Sequence, residues 1–366
     1  MTVLATKIVA GRRGMQRFLA IAPPLYNGVS AWVRPLDAQL RARLDKNHEP
    51  FWQHAEGQLI IAKQRGKDAA RLLVMHDRLR QEQTGEKAAT FGLFEAPPDA
   101  ETARALFDEA AVWAKARGLD SLIGPLFLSV HEEVGLLVDG FELPPRVMMP
   151  YNREYYDRLL LQAGFAQLRE FYAYEWDIQR QAIPETKRLR QDVVVRRFDR
   201  SNRADEVRRF LQVYNESFSC NWGFVPMTEA EAAASVGDFL RYADPALPLL
   251  AEVKGEPAGF ILTLPDFNEA IATCGGKLWP FGILRILWGR RNIRNLRVVT
   301  LAVRRSFRPL GLAHHLIRQL WETAKTEGYL LAEFGYIDSR NRVMRSIVEG
   351  IGAQKTKTYR LYRKPL

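Results

Sequence analysis

The sequence is short of several things, and each shortage excludes a class. Only two cysteines, Cys220 and Cys274, occur in 366 residues. A disulfide scaffold is therefore excluded, and a reduced, cytoplasmic setting is expected. Six histidines are scattered without an HExxH or CxxC pattern, so no metal site is expected. His314 and His315 are adjacent; on a helix they point about 100° apart and cannot chelate one ion. No apolar run reaches the ~18 residues of a membrane span. The N-terminal stretch with Lys7, Arg12, Arg13 and Arg17 lacks the apolar segment of a signal peptide. Acids are missing from one long window. Between Ala270 and Trp321 there is no Asp or Glu, while ten Lys and Arg fall there. The whole chain has a net charge of +11, so this window holds nearly all of the excess. An anionic partner met at one place is expected, rather than a nucleic-acid coat.

What the sequence does contain is a repeat. LFDEAAVWAKARG ends at Gly118 and LIRQLWETAKTEG ends at Gly328, each with Leu twelve residues before the Gly and Ala-Lys just ahead of it. Both spacings predict amphipathic helices stopped by glycine. Gly164 is followed by Phe171 and Tyr174 at offsets of seven and ten, and Gly352 by Tyr359 and Tyr362 at the same offsets. Asn152 and Asn341 precede those glycines by twelve and eleven residues. Two copies of one fold are expected, a first domain over 1–180 and a second over 191–366. The polar stretch IQRQAIPETKRLRQD lies between them. The first copy carries an insertion around GPLFLSVHEEVGLLVDGFELPP. In the second copy the patterns predict the order β-α-α-β-β-β-α-β-α-β, with Thr228 and Glu231 forming a capping box. That order implies an α/β fold, each domain a mixed sheet flanked by helices.

The most specific segment is VRRSFRPLGLAHHL, residues 303–316. A buried strand ends at Val303, a tight loop follows, and a helix starts near Gly311. Such a loop aims backbone N–H groups and the positive end of a helix at one point, which suits a phosphate. Gly311 and Ala313 are small where a ligand must come close to the backbone. Arg308 adds positive charge. The first copy has no counterpart. Its TFGLFEAPPDAETARAL places prolines and acids before the helix, and acids there repel phosphate.

These residues resemble the GNAT acyltransferase superfamily. Its acyl-CoA signature is V-x-x-x-[YF]-R-x-x-G-[ILV]-[GA]-x-x-L, and Val303, Phe307, Arg308, Gly311, Leu312, Ala313 and Leu316 fill it. The family's downstream Asn and Gly match Asn341 and Gly352. The resemblance implies that acyl-CoA is the donor and that backbone groups from 308 to 313 hold its pyrophosphate. It also implies that the strand ending at Val303 splays open for the pantetheine arm. Leu301, Val303, Arg308, Leu310, Gly311, Leu312, Ala313 and Asn341 are the expected CoA-site residues. Further blocks, including LYNGVSAWVRPL, FWQHAEGQLIIA, YNESFSCNWGFVP and KTYRLY, make the whole chain similar to bacterial tandem GNAT-like proteins. Bacterial ceramide synthases, which N-acylate a sphingoid base, are similar. The first copy is then expected to be a degenerate domain that does not bind CoA.

GNAT chemistry joins an amine to a thioester directly, so positioning supplies much of the rate. A base must take the ammonium proton and a backbone N–H near Val303 must meet the oxyanion. Glu333 is the first candidate base, because LLAEFGYI is expected to pair beside the CoA strand and holds one carboxylate in an apolar run. The alternative for Glu333 is a buried partner of an Arg. Asp338 and Glu252 are weaker candidates. The Tyr that many relatives use as acid is replaced by Val348; Tyr336 and Tyr359 are the substitutes to consider, or else packing aromatics.

Asn221 and Trp222 lie where relatives bind acceptor. From Asp266 to Asn295 stands an unusually long insertion. It mixes Trp279, Phe281, Trp288 and aliphatic residues with arginines, a pattern suited to a membrane interface. The expected protein is an acyl-CoA-dependent N-acyltransferase with a lipid-like amine acceptor. It would work at an anionic membrane surface on the cytoplasmic side, with no metal and no nucleic acid. A soluble amine or peptide acceptor, or a non-catalytic CoA- or lipid-binding module, stays open as an alternative.

Overall fold

The computed structural model describes residues 4–183, 190–277 and 281–366. The strands of the first half are β1 (Leu4–Val9), β2 (Ala55–Gln64), β3 (Lys67–Asp77), β4 (Ala88–Glu95), β5 (Ser121–Gly124), β6 (Leu136–Asp139) and β7 (Ala166–Asp177). Those of the second half are β8 (Val193–Arg197), β9 (Leu249–Val253), β10 (Glu256–Pro265), β11 (Asn295–Val303), β12 (Leu331–Asp338) and β13 (Gln354–Pro365). Helices longer than one turn are α1 (Gly11–Leu19), α2 (Asp37–Arg43), α3 (Arg78–Thr84), α4 (Ala100–Lys115) and α5 (Tyr156–Gln162), then α6 (Arg203–Phe218), α7 (Glu229–Tyr242), α8 (Gly282–Gly289), α9 (Leu312–Thr326) and α10 (Arg342–Gly350).

The repeat read from the glycines is a repeat of pairing. In the first unit β1 to β4 form an antiparallel meander, and β5 then pairs parallel to β4 after the crossover helix α4. In the second unit β8 to β11 do the same, and β12 pairs parallel to β11 after α9. Parallel neighbours need such a crossover, whereas antiparallel ones need only a turn. Gly118 and Gly328 both have positive φ, +71° and +81°, just after α4 and α9. A left-handed residue there ends the helix and turns the chain into the next strand. The capping box on α7 is present, with Thr228 accepting from the Glu231 N–H and Glu231 accepting from the Thr228 N–H.

The two compact units are not contiguous halves of the sequence. One comprises Met1–Phe171, Cys274–Gly282 and Lys357–Leu366, and the other Tyr172–Thr273 and Ile283–Thr356. Within the first unit β13 lies beside β5, with Tyr362 opposite Gly124. Within the second, β7 lies beside β12. Each unit is thus completed by a strand from the other half of the chain.

The cores follow from this layout. In the first unit Leu106, Phe107 and Ala110 of α4 and Tyr156, Leu159 and Leu160 of α5 pack on Ile60, Leu72 and Phe91. In the second unit Leu312, Leu316 and Leu320 of α9 cover one sheet face, together with Trp176 and Phe334. Phe210 and Val213 of α6 and Val236 and Leu240 of α7 cover the other, over Phe260 and Leu262.

Separate expression tests the strand exchange. A fragment over 181–366 lacks the fully buried Tyr174 and Trp176, a loss worth several kcal/mol of packing. It is expected to give no cooperative thermal transition by circular dichroism. A fragment over 166–356 keeps β7 and is expected to show one.

Candidate active site

The site begins where two strands part. β11 and β12 are paired through Asn295↔Leu331, Leu296↔Ala332, Arg297↔Glu333 and Val298↔Phe334, and the ladder then stops although both strands continue. Exposure changes at the same point. Leu296, Arg297, Val298, Ala332, Glu333 and Phe334 are buried, while Val299, Thr300, Leu301, Val303, Gly335 and Tyr336 are half-buried. On its other side β11 stays hydrogen-bonded to β10 as far as Val303↔Gly259. That pairing jumps from Thr263↔Val298 to Leu262↔Thr300, so Val299 is a bulge residue. A bulge leaves its extra residue out of the ladder and bends the strand. The result is a wedge open between β11 and β12, with main-chain groups of β11 on one lip.

The wedge leads to the loop after β11. Arg305–Leu310 forms a short 3-10 turn, and Gly311 adopts φ +70° and ψ 20° as N-cap of α9. No side chain caps this helix and its first turn has no acid. The first-turn N–H groups therefore lack the partner that a capping side chain would give. A Cβ on Gly311 would meet nothing within 4 Å, so the space before the helix end is open. Leu312 is fully buried and can offer only its backbone. Phe307 and Leu310 are half-buried against the core and tether the turn.

The arginines of the loop divide their work. Arg304 is paired with Glu216 and Glu256, both at 2.5 Å. Arg308 is exposed and donates to the carbonyls of Val303 and Ser217, each at 3.3 Å. Its charge is held at the turn by these two contacts. Arg305 is exposed as well.

The other expected residues fall in different places. Glu333 is fully buried on the paired side of the split, in register with Arg297. Tyr336 stands on the open lip of β12, two residues past the last pair. Tyr359 belongs to the first unit, where it is fully buried in register with Leu137. Asn341 is exposed and caps α10, accepting from the Met344 N–H at 3.1 Å. Val348 is buried core. Glu252 accepts from Arg196 at 2.7 Å and Arg209 at 3.1 Å, which occupies it. Asn221 is exposed and Trp222 half-buried, in the turn between α6 and α7. Trp279 lies outside the described residues. Phe281 and Trp288 are exposed, Trp288 at 80%.

Arg297, which is not among the site residues expected from the sequence, is 2% exposed. Its guanidinium donates to the main-chain carbonyls of Val298, Glu333 and Gly335. The available signal was one cation in LRVVTLAV facing one anion in LLAEFGYI.

The matching place in the first unit is built differently. β4 and β5 pair from Ala88↔Ser121 as far as Thr90↔Ile123. Beyond that the Leu126 N–H donates to the Phe91 carbonyl at 2.7 Å. A Cβ on Gly92 would lie 2.0 Å from the Leu126 oxygen, so glycine is needed for this close approach. The insertion itself fills the space beside β4. At the start of α4 the Asp99 carboxylate accepts from the Thr102 N–H at 3.1 Å, and Glu101 stands in the first turn.

Comparison with known proteins identifies the family. The acetyltransferase (GNAT) family matches residues 207–342. A bacterial ceramide synthase of Caulobacter vibrioides is 33% identical over 365 residues, covering 96% of this chain and 95% of its own. Protein YghO of Escherichia coli is 32% identical over 369 residues, covering 97% and 94%. Among solved structures, a tandem GNAT protein from the clavulanic acid biosynthesis pathway aligns over 99% of this chain and 98% of its own, with TM-score 0.59 and 11% identity. A GCN5-related N-acetyltransferase from Sphaerobacter thermophilus aligns over 99% and 95%, with TM-score 0.54 and 14% identity. The chain belongs to the GNAT N-acyltransferases, in their tandem form. It is an enzyme of the family that moves an acyl group from acyl-CoA to an amine.

The open space at Gly311 gives a direct test. Gly311→Glu puts a carboxylate before the α9 N-terminus, at a strain cost of about 1–2 kcal/mol for the left-handed backbone. CoA affinity measured by calorimetry is expected to fall at least a hundredfold, with only a modest drop in melting temperature.

Proposed function

We propose that the second unit binds acyl-CoA with its pyrophosphate at 308–313 and its pantetheine arm in the wedge between β11 and β12. The observation that carries this is the wedge itself, open on the side that leads to an uncapped, acid-free helix N-terminus. The amine nitrogen attacks the thioester carbon, and the oxyanion is met by main-chain N–H groups on the β11 lip. The C–S bond then breaks, the CoA sulfur takes a proton, and the nitrogen loses one. Tyr336 is our candidate for the proton donor to sulfur. Of the three expected catalytic side chains it alone is half-exposed on a lip of the wedge, whereas Glu333 and Tyr359 are fully buried. The first unit does not take CoA, because Leu126 occupies its wedge and Asp99 its helix end.

The acceptor is a lipid-like amine such as a sphingoid base, taken at an anionic membrane surface. The relative named bacterial ceramide synthase supports a lipid acceptor. Support for the surface comes from α8, where Ile283, Leu284, Leu287 and Trp288 are all at least half exposed. Arg285, Arg290, Arg291 and Arg294 are exposed beside them, and no acid among the described residues pairs with these four. No helix among the described residues is long and apolar enough to cross a membrane. Apolar side chains of this size favour the interface by about 1.5–3 kcal/mol each when fully buried. Each arginine near an anionic surface adds about 1 kcal/mol.

Incubation with palmitoyl-CoA and a sphingoid base is expected to yield the amide by mass spectrometry, with one acyl-CoA bound per chain. No thiol release with any acyl-CoA would sink the reading. Tyr336→Phe is expected to lower kcat by about 10²-fold with little change in KM for acyl-CoA. Leu284→Glu with Trp288→Glu is expected to release the protein from phosphatidylglycerol vesicles while hydrolysis-free turnover of a soluble short-chain amine persists. Unchanged vesicle binding would remove α8 as the contact.

A further inference from the structure

The ladder between β11 and β12 stops abruptly, and something must keep it stopped. Two neighbouring parallel strands with exposed lips can gain hydrogen bonds by closing on each other. The group at the end of the ladder is Arg297. It is 2% exposed, and its guanidinium reaches three main-chain carbonyls at the split, those of Val298, Glu333 and Gly335. Val298 is the last paired residue of β11, Glu333 lies one before the last on β12, and Gly335 is the first residue beyond it. A single side chain therefore bridges the two strands across the point of divergence.

Burying a guanidinium is costly unless its donors are met. A residue used only for packing would be apolar here, like its neighbours Leu296 and Val298. Arginine brings five donors in a rigid planar fork and stays charged at every working pH. Carbonyls that lose ladder partners where strands part are the acceptors such a fork fits. Glu333, the register partner on β12, is buried as fully as Arg297 and stands at the same step of the ladder. The one carboxylate of this apolar run therefore lies at the Arg297 bridge and off the open lip.

We propose that Arg297 is a positioning residue that props the wedge open at a fixed width, and that Glu333 is part of this prop rather than the catalytic base. The claim deepens the acyl-CoA reading and rests on it: the width set at the Arg297 bridge is the width available to the pantetheine arm and thioester. Neither residue needs to touch the ligand.

The test uses the full chain carrying Arg297→Met, Arg297→Lys or Glu333→Gln. Palmitoyl-CoA and CoA affinities are measured by calorimetry, together with amide hydrogen exchange over 299–303 and 335–338 in ligand-free protein. Arg297→Met is expected to weaken palmitoyl-CoA binding at least tenfold and to slow exchange at the lips at least tenfold, as the strands close. Arg297→Lys should bind between Met and wild type. Glu333→Gln should retain at least a tenth of wild-type kcat with an unchanged pH profile, since it is no base. A folded Arg297→Met protein with wild-type affinity, or with unchanged or faster lip exchange, overturns the proposal. So does a Glu333→Gln protein that loses the acidic limb of the pH profile, the limb that a general base sets as it takes up its proton. Should Arg297→Met fail to fold, the Lys variant decides. Wild-type affinity in it overturns the proposal, and reduced affinity at an unchanged melting temperature supports it. If wild-type protein binds neither CoA nor palmitoyl-CoA, the acyl-CoA reading falls. The exchange comparison still reports on the prop.

Discussion

The parting of β11 from β12 after Val298 and Phe334 is the constraint on which the rest of the second unit depends. A parallel pair in a sheet is normally closed along its length, because every backbone donor and acceptor inside a protein needs a partner. Here the ladder is cut short, and three features follow from the cut. The bulge at Val299 keeps β11 attached to β10 while turning its other edge outward. The guanidinium of Arg297 satisfies carbonyls at the break. The uncapped start of α9 stands at the end of the same strand, after a single turn. The proposed acyl-CoA site needs a slot and an anion seat joined by one strand, and these three features lie along one strand.

The first unit shows the same topology with both openings closed. Its strand order and crossover helix repeat those of the second unit. Its wedge is filled by Leu126, with Gly92 removed to a bare backbone to make room. Its helix end carries its own carboxylate in Asp99. The same two openings are thus occupied by the chain itself, one by backbone and one by charge.

The charge excess seen in the sequence separates, in the folded chain, into groups with different physics. Arg285, Arg290, Arg291 and Arg294 are exposed on and beside α8, with its apolar residues. Arg297 is buried and bonded to main-chain carbonyls. Arg304 is neutralised by two glutamates, and Arg318 is paired with Glu322. Arg305 and Arg308 remain at the turn. A run of positive charge in sequence is therefore not one patch.

Much was legible from the sequence alone. The order of strands and helices in the second unit, the capping box on α7, the glycine stops and the 303–316 loop are local patterns. Backbone preferences and the period of apolar residues determine such patterns over short windows. The doubled fold was legible for the same reason, since each copy repeats those windows. Other features only the tertiary structure decided. These are the residue at which β11 leaves β12, the register of Arg297 with Glu333, the filling of the first unit's wedge, and the exchange of β7 and β13 between units. All four depend on which distant strands lie side by side. Strand identity is written locally, but partner and register are set by burial summed over the whole sheet. Glu333 shows the difference most plainly. Its sequence context marked it as unusual, and only the fold places it fully buried in register with Arg297.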